Sequence, residues 1–214
     1  MFEYNESLEQ ARKRNIHDAL MEDIGTGDWT AKLVPNKIVQ AQLIVRQDAV
    51  LCGIDWFEGT LKQLDPGAKV TWHYSEGDLM KAGTKVCDIT AHSQALLSAE
   101  RTGINFLQTL SWTASITRQH VDAIAGVSPN PKGCAVLDTR KTIPGLRQAQ
   151  KYAVRVGGGQ NQRLALWHGI LIKENHIAAA GSITAALKNA VALNAGVDIQ
   201  IEVENFAELE EALA

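Results

Sequence analysis

No run of 18 apolar residues occurs anywhere in the 214-residue chain, so no transmembrane helix is expected. The opening residues, Met-Phe-Glu-Tyr-Asn-Glu, hold neither a basic start nor an apolar stretch. A secretory signal is therefore not expected, and a cytoplasmic location is. Cysteine is scarce. Cys52, Cys87 and Cys134 lie far apart and are odd in number, which speaks for reduced, buried thiols rather than a disulfide framework. None has the spacing of a zinc site. Positive charge is not in excess either: the formal net charge is -3, which argues against nucleic acid as the principal partner.

One local absence says more. Residues 139–173 contain no Asp or Glu, yet they hold seven Lys or Arg. A cationic stretch in a mildly acidic chain points to a small, highly charged anion as ligand. Arg147, Lys151 and Arg155 recur at i, i+4 and i+8 and fit a solvated helix face. Arg140, Lys141, Arg163 and Lys173 share no such face, and the anion site is expected from them.

At 45% hydrophobic residues the chain can bury one good core or two small ones. Residues 7–22 form a weakly amphipathic helical pattern that gives way to a turn-rich loop at residues 22–28. Short strand-like runs follow at residues 42–46, 49–52, 69–74 and 85–89, with a helix near residues 55–64, implying a small mixed sheet. From Ser93 to Ala125 the apolar spacing is helical. Beyond Cys134 strand and helix alternate: apolar runs at residues 134–137, 169–172 and 199–203 are separated by helical stretches, one of them opened by Ser182 as N-cap. That recurrence is the βαβ period and predicts a parallel sheet. The carboxyl ends of parallel strands gather on one face. Arg140, Lys141, Lys173 and Glu202 are therefore expected to converge.

Arg brings a fork suited to carboxylate or phosphate, and Lys a compact charge. Two readings of Gly157-Gly158-Gly159 stay open: backbone N–H groups approaching an oxyanion, or a flexible connection after a helix. Lys173 fits either charge neutralisation or a Schiff base. His176 fits either acid–base work or a loop residue bonded to backbone. His73, His92, His120 and His168 are read as structural or surface residues, and Trp72, Trp112 and Trp167 as packing residues.

Four separated motifs, in order, resemble the quinolinate phosphoribosyltransferase (carboxylating nicotinate-nucleotide pyrophosphorylase) family. They are Glu22-Asp23-Ile24-Gly25-Thr26-Gly27-Asp28-Trp29-Thr30, then Ala99-Glu100-Arg101-Thr102-Gly103-Ile104-Asn105-Phe106-Leu107. Next come Asp138-Thr139-Arg140-Lys141-Thr142-Ile143-Pro144-Gly145-Leu146 with Lys151-Tyr152-Ala153-Val154 and the glycine triplet, and last Ile172-Lys173-Glu174-Asn175-His176-Ile177. The resemblance implies an α/β fold: an N-terminal α/β sandwich domain over residues 1–110, then the first part of an incomplete, truncated parallel α/β barrel over residues 111–214. It implies transfer of phosphoribosyl from phosphoribosyl pyrophosphate to quinolinate with loss of CO2, giving nicotinate mononucleotide for NAD biosynthesis. Mg²⁺ is the implied cofactor, carried with the phosphoribosyl donor, and no dedicated set of metal ligands is expected. The implied assembly is a homodimer with shared active sites, with higher oligomers open.

By motif, Arg140, Arg163 and a partner subunit's Arg101 would hold quinolinate, together with Thr139 and Gln162. Lys141 and Lys173 would lie near the donor and the reacting carboxylates, and Glu202 would serve the ribose hydroxyls and the metal. The implied catalytic set is Lys141, Lys173 and Glu202. Three positions depart from the family pattern: Gln162 replaces the usual His, Trp112 a common Gly, and Gln94 a common Arg. The family also continues through further barrel strands, so this chain is expected to be a fragment, inactive by itself, or a protein lacking part of its donor site. Alternatives are a catalytically incomplete anion-binding relative, a phosphoribosyltransferase-like protein with another acceptor, and a Schiff-base lyase using Lys173.

Overall fold

Helix α1 spans Leu8–Ile24, and its first turn shows why it starts there. Ser7 Oγ accepts from the Gln10 N–H at 3.2 Å while Gln10 Oε1 accepts from the Ser7 N–H at 2.8 Å. This reciprocal box satisfies two donors a helix start leaves open. Gly25, at φ +52°, ends the helix. The structure, a computed structural model, describes residues 6–214; residues 1–5, part of the stretch read above for a secretory signal, lie outside the described residues.

Strands β1 (Ile38–Ile44), β3 (Lys69–Trp72) and β5 (Lys85–His92) form an antiparallel sheet in the order β1-β5-β3. β5 is central, and Val86, Cys87, Ile89 and Ala91 are buried along it. A second, two-stranded antiparallel sheet joins β2 (Ala49–Val50) to β4 (Leu79–Met80). Neither sheet is mixed, in contrast to the expectation, and β4 has no counterpart in the sequence reading. Helix α2 (Ile54–Leu64) follows Gly53, at φ +108°. Glu76 caps it from a distance, its two carboxylate oxygens accepting from the Gly53 and Ile54 N–H groups at 2.7 and 3.1 Å. A carboxylate there also suits the positive end of the helix dipole.

Helix α3 runs from Ser93 to Ile124, 32 residues and about 48 Å at 1.5 Å per residue. Its buried positions Ala99, Gly103, Phe106, Leu110, Ala114 and Thr117 step by three and four, as one helix face requires. Leu110 and Phe106 pack with Val50, Cys52 and Trp56 and with Ala149 and Ala153 of α4 (Arg147–Val156). Each such large apolar side chain contributes about 1.5–3 kcal/mol when taken fully out of water. Trp56 is 1% exposed, whereas Trp112 and Trp167 are 62% and 51% exposed. Only Trp72, edge-on to Phe57 with its indole N–H on Glu58, packs as expected. Cys52 and Cys87 are buried, but Cys134 is exposed, against the expectation for all three.

The chain divides into two compact units, the first ending at Asn161 and the second running Gln162–Ala214. In the second, β6 (Ile170–Ile172) pairs in parallel with β7 (Ile199–Ile201). Helices α5 (Glu174–Ala180) and α6 (Ile183–Ala192) link them, and α7 (Phe206–Leu213) follows. Ser182 caps α6 as read from the sequence, its Oγ accepting from the Ala185 N–H at 3.0 Å. Ile172, Ala186 and Ala190 are the buried centre of this unit. The class is α/β, as expected, and the described strands close no barrel. Among the described residues, no helix is long and apolar enough to cross a membrane.

Candidate functional site

In the first unit, the polar segment beginning at Asp138 follows a very short parallel contact. Leu137 bridges Gln160, and the Asp138 N–H donates to the Gln160 carbonyl at 3.1 Å. The run at residues 134–137 thus amounts to one bridge rather than a full strand. Thr139 Oγ1 accepts from the Lys141 N–H at 3.0 Å, turning the chain locally. Arg147 Nε donates to Thr142 Oγ1 at 3.2 Å, and the Ile143 N–H donates to Gln150 Oε1 at 2.8 Å. From the opposite side the buried Asn15 of α1 donates Nδ2 to the Gly145 carbonyl at 2.9 Å, and Arg14 Nη2 donates to the same oxygen at 3.3 Å. The segment is thereby fixed from two helices, while two of its cations stay uncommitted. Neither the Arg140 guanidinium nor the Lys141 ammonium has a protein partner among the described residues, and Arg140 Nε is buried without an acceptor. Native proteins rarely leave a buried donor so.

Of the three α4 cations whose spacing implied a solvated face, Arg155 is exposed and Arg147 half-buried, but Lys151 is not solvated. Lys151 is 3% exposed and pairs with Asp138, whose side chain is 5% exposed. The reason lies one residue outside the acid-free stretch: Asp138 supplies the counter-charge that makes burial of an ammonium tolerable. Arg155 Nη1 donates to Asn161 Oδ1 at 2.8 Å. The glycine triplet is likewise committed. The Gly157, Gly158 and Gly159 N–H groups all donate to α4 carbonyls at 2.9 Å, so they are not available to an oxyanion. A Cβ on Gly157 would lie 2.5 Å from the Ala114 carbonyl oxygen, and one on Gly159 2.8 Å from Val154 Cγ1. These glycines let α4 and the following turn lie against α3, a packing role neither sequence reading contained.

In the second unit, β6 and β7 pair Ile172 with Ile201, and the Glu202 N–H donates to the Ile172 carbonyl at 2.9 Å. Lys173 and Glu202 therefore leave neighbouring strand ends side by side, with Lys173 Nζ 3.2 Å from Glu202 Oε2. This is the strand-end gathering that the βαβ period predicted, realised for this pair. Gln162 Nε2 donates to Gln200 Oε1, and Arg163 Nη1 donates to the Gly169 carbonyl at 3.1 Å. His176 lies within α5 rather than in a loop, but its Nδ1 does accept from a backbone donor, the Lys173 N–H at 3.0 Å. The polar run after β6, read as a strand end, is the first turn of that helix.

Models of two domains match the chain. The quinolinate phosphoribosyl transferase N-terminal domain matches residues 28–111, and the C-terminal domain of the same family matches residues 113–214. A probable carboxylating nicotinate-nucleotide pyrophosphorylase of Bacillus subtilis (strain 168) is 37% identical over 204 residues, covering 94% of this chain and 69% of the relative. The chain belongs to the quinolinate phosphoribosyl transferase family. A chloroplastic carboxylating nicotinate-nucleotide pyrophosphorylase of Arabidopsis thaliana is 35% identical over 208 residues, 94% of this chain and 58% of that protein. The solved nicotinate-nucleotide pyrophosphorylase of Francisella tularensis superposes with a TM-score of 0.89 at 40% identity, over 98% of this chain and 72% of that one. The chain thus spans between 58% and 72% of the length of these three relatives.

Within this family member, Arg101 lies exposed on α3 without a protein partner among the described residues. It borders an open groove of about 1160 Å³ whose walls include Leu43, Val45, Ile104 and Trp112. The departure at Trp112 therefore falls on the exposed wall of the groove that Arg101 also lines, and that at Gln94 is spent on the Val34 carbonyl, at 2.9 Å. Sequence reasoning missed Asp138 as an ion partner and Asn15 as an anchor. The first stood just beyond the stretch being counted, and the second acts on Gly145 across 130 positions. Neither buried cysteine is a candidate nucleophile, because burial pushes the Cys52 thiol up strongly and the Cys87 thiol up to about 12.

Proposed function

We propose that this chain carries the quinolinate phosphoribosyltransferase reaction of its family. The observation that carries the reading is the free Arg140 guanidinium, with its buried, acceptor-less Nε, next to an equally free Lys141. A buried donor of this kind is costly unless a ligand supplies the acceptor, and a dicarboxylate such as quinolinate does. In the reaction the pyridine nitrogen forms a bond to C1′ of phosphoribosyl pyrophosphate, and pyrophosphate leaves with its bonding electrons. The C2 carboxylate then departs as CO2. Its electron pair stays on the ring, stabilised by the now cationic nitrogen, until a proton replaces it.

Arg140 would grip a quinolinate carboxylate through its fork, with Arg163 and the motif partners Thr139 and Gln162 in support. Lys141 and Lys173 would neutralise the anionic donor, and Glu202 would orient ribose hydroxyls. The chemistry then depends on orientation and preorganised charge more than on acid–base exchange. The lyase alternative needs a Schiff base on Lys173, and borohydride trapping with a carbonyl substrate separates it from the transferase reading.

No group of three His, Cys, Asp or Glu among the described residues could cage a metal. Mg²⁺ is commonly held by one or two carboxylates plus substrate phosphates. Glu202 would help hold an ion that arrives with the donor, and the ion would neutralise charge on the leaving pyrophosphate. In the same reading residues 1–110 and 111–214 are a sandwich domain and part of an α/β barrel, the location is cytoplasmic, and the protein is a homodimer. The exposed Arg101 beside an open groove supports an arginine that serves a partner's site.

The test is quinolinate-dependent formation of nicotinate mononucleotide and CO2. Arg140→Ala should lose about 2–4 kcal/mol of transition-state binding, and Arg140→Lys should rescue little, since an ammonium has no fork. Near-full activity in the Lys variant would leave Arg140 as diffuse charge only.

A further inference from the structure

Two residues before Arg140 in the chain stands Asp138, one half of a buried ion pair that the proposed function leaves unused. Lys151 Nζ binds Asp138 Oδ1 with both side chains almost wholly out of water. Asp138 Oδ2 accepts from Asn161 Nδ2 at 2.5 Å, and the same amide nitrogen donates to the Lys151 carbonyl at 2.8 Å. Arg155 holds the Asn161 oxygen, and the Asp138 backbone is tied to Gln160. Asp138 is thus gripped through both its side chain and its backbone, and the next residues are Thr139, Arg140 and Lys141.

Such pairs are weak devices for stability, because apolar groups of similar volume often do as well. Their better-attested use is to fix one geometry among several. Arg140 itself is not held by its guanidinium; its place depends on the backbone leading to it. Its carbonyl accepts from the Thr142 N–H at 3.0 Å and from Arg147 Nη2 at 3.5 Å. Upstream, the side-chain anchor is Asp138.

We propose that Lys151 is a positioning residue for the reaction: through Asp138 it fixes the path of residues 139–141 and so the point at which Arg140 meets a substrate carboxylate. This rests on the function proposed above. Displacing a binding group by about 1 Å can cost on the order of 100-fold in rate, so the pair can govern turnover without touching substrate.

The experiment compares the full chain with Lys151→Met, the double variant Asp138→Asn/Lys151→Met, and Arg140→Ala. The readouts are melting temperature, backbone hydrogen exchange of residues 138–146, and kcat and KM for quinolinate. Lys151→Met should lower kcat/KM roughly 100-fold and speed exchange in the segment. It should also melt lower, since it removes the counter-charge of a buried carboxylate. The double variant removes both charges and should regain most of the melting temperature while activity stays low and exchange stays fast. Arg140→Ala should lose activity with exchange in the segment unchanged. A double variant that recovers wild-type kcat/KM together with its stability would overturn the proposal and leave a structural pair. If the unmutated protein fails to turn over quinolinate even in a version extended to the length of its relatives, the functional reading fails by itself. Exchange then decides the positioning claim, and wild-type protection of residues 138–146 in the folded double variant overturns it.

Discussion

Replacing Gly157 by Ala separates two accounts of the glycine triplet, because they differ in sign. Gly157 has φ -70° and ψ -7°, a conformation Ala adopts without strain. If the triplet were a flexible connection, Ala would restrict the unfolded chain and stabilise the protein by about 0.4–1 kcal/mol. The packing says otherwise. The added Cβ would meet the Ala114 carbonyl oxygen at 2.5 Å, Thr117 Cβ at 2.7 Å and Thr117 Cγ2 at 3.1 Å. Two of these contacts belong to atoms that cannot swing aside: a helix backbone oxygen and a Cβ. Relief requires α4 to move off α3 by most of an ångström, which also loosens Ala149 and Ala153 in the shared core. Overpacking of this kind costs about 1–3 kcal/mol. At roughly 2–4 °C per kcal/mol for a chain of this size, the melting temperature should fall by about 2–12 °C. Differential scanning calorimetry on the two proteins measures it. A melting temperature equal to or above that of the unmutated chain would refute the packing account and restore the hinge.

In mixed dimers of chains extended to the length of the relatives, one subunit Arg101→Ala and the other Arg140→Ala, one site should lose both residues and the other stay intact. About half the wild-type activity should return by that count of sites, whereas mixed dimers as inactive as either parent would mean that Arg101 serves its own subunit. The Asp65 carboxyl accepts from the His92 N–H at 2.8 Å and the Gly67 N–H at 3.0 Å, and it faces the His92 ring. These contacts, the His92 N–H first, hold it below the usual carboxylate range. Its contribution to stability is therefore present above the unfolded value of about 3.9 and is lost as pH falls through the lower folded value. Asp65→Asn should reduce the loss of stability between pH 5 and pH 2, read from denaturation midpoints. An unchanged pH dependence would show that Asp65 contributes nothing to it.

The long helices were legible because several kinds of signal agree on them. For α1 these are the helical spacing of Ile16, Ala19 and Leu20 and the turn-rich loop at residues 22–28 that ends it. For α3 one buried stripe runs through 32 residues, too many turns to be chance. The parallel pair of β6 and β7 was legible through its βαβ recurrence, and with it the meeting of Lys173 and Glu202. What stayed hidden was short or non-local. β2 and β4 pair only two residues each, too few to show a period. Strand β4 was missed, and residues 134–137, apolar enough to be read as a strand, find only one bridging partner in Gln160.

The cations of α4 show the deeper limit. A spacing of four places Arg147, Lys151 and Arg155 on one helix face but carries no sign of whether water or protein lies opposite. That depends on Asp138 and Asn161, which belong to other segments and to no period. Five of the seven basic residues of this stretch lie in the first unit, and they are not one patch but two kinds of group. Arg147, Lys151 and Arg155 are spent on Thr142, Asp138 and Asn161, and so build the segment. Arg140 and Lys141, carried by that segment, stay unpaired among the described residues. Composition sees equal charges; the fold spends three of them on holding the backbone that presents the other two. Substitutions in the first group should therefore act through the geometry of Arg140, and those in the second through lost substrate contact, although both remove the same unit of charge.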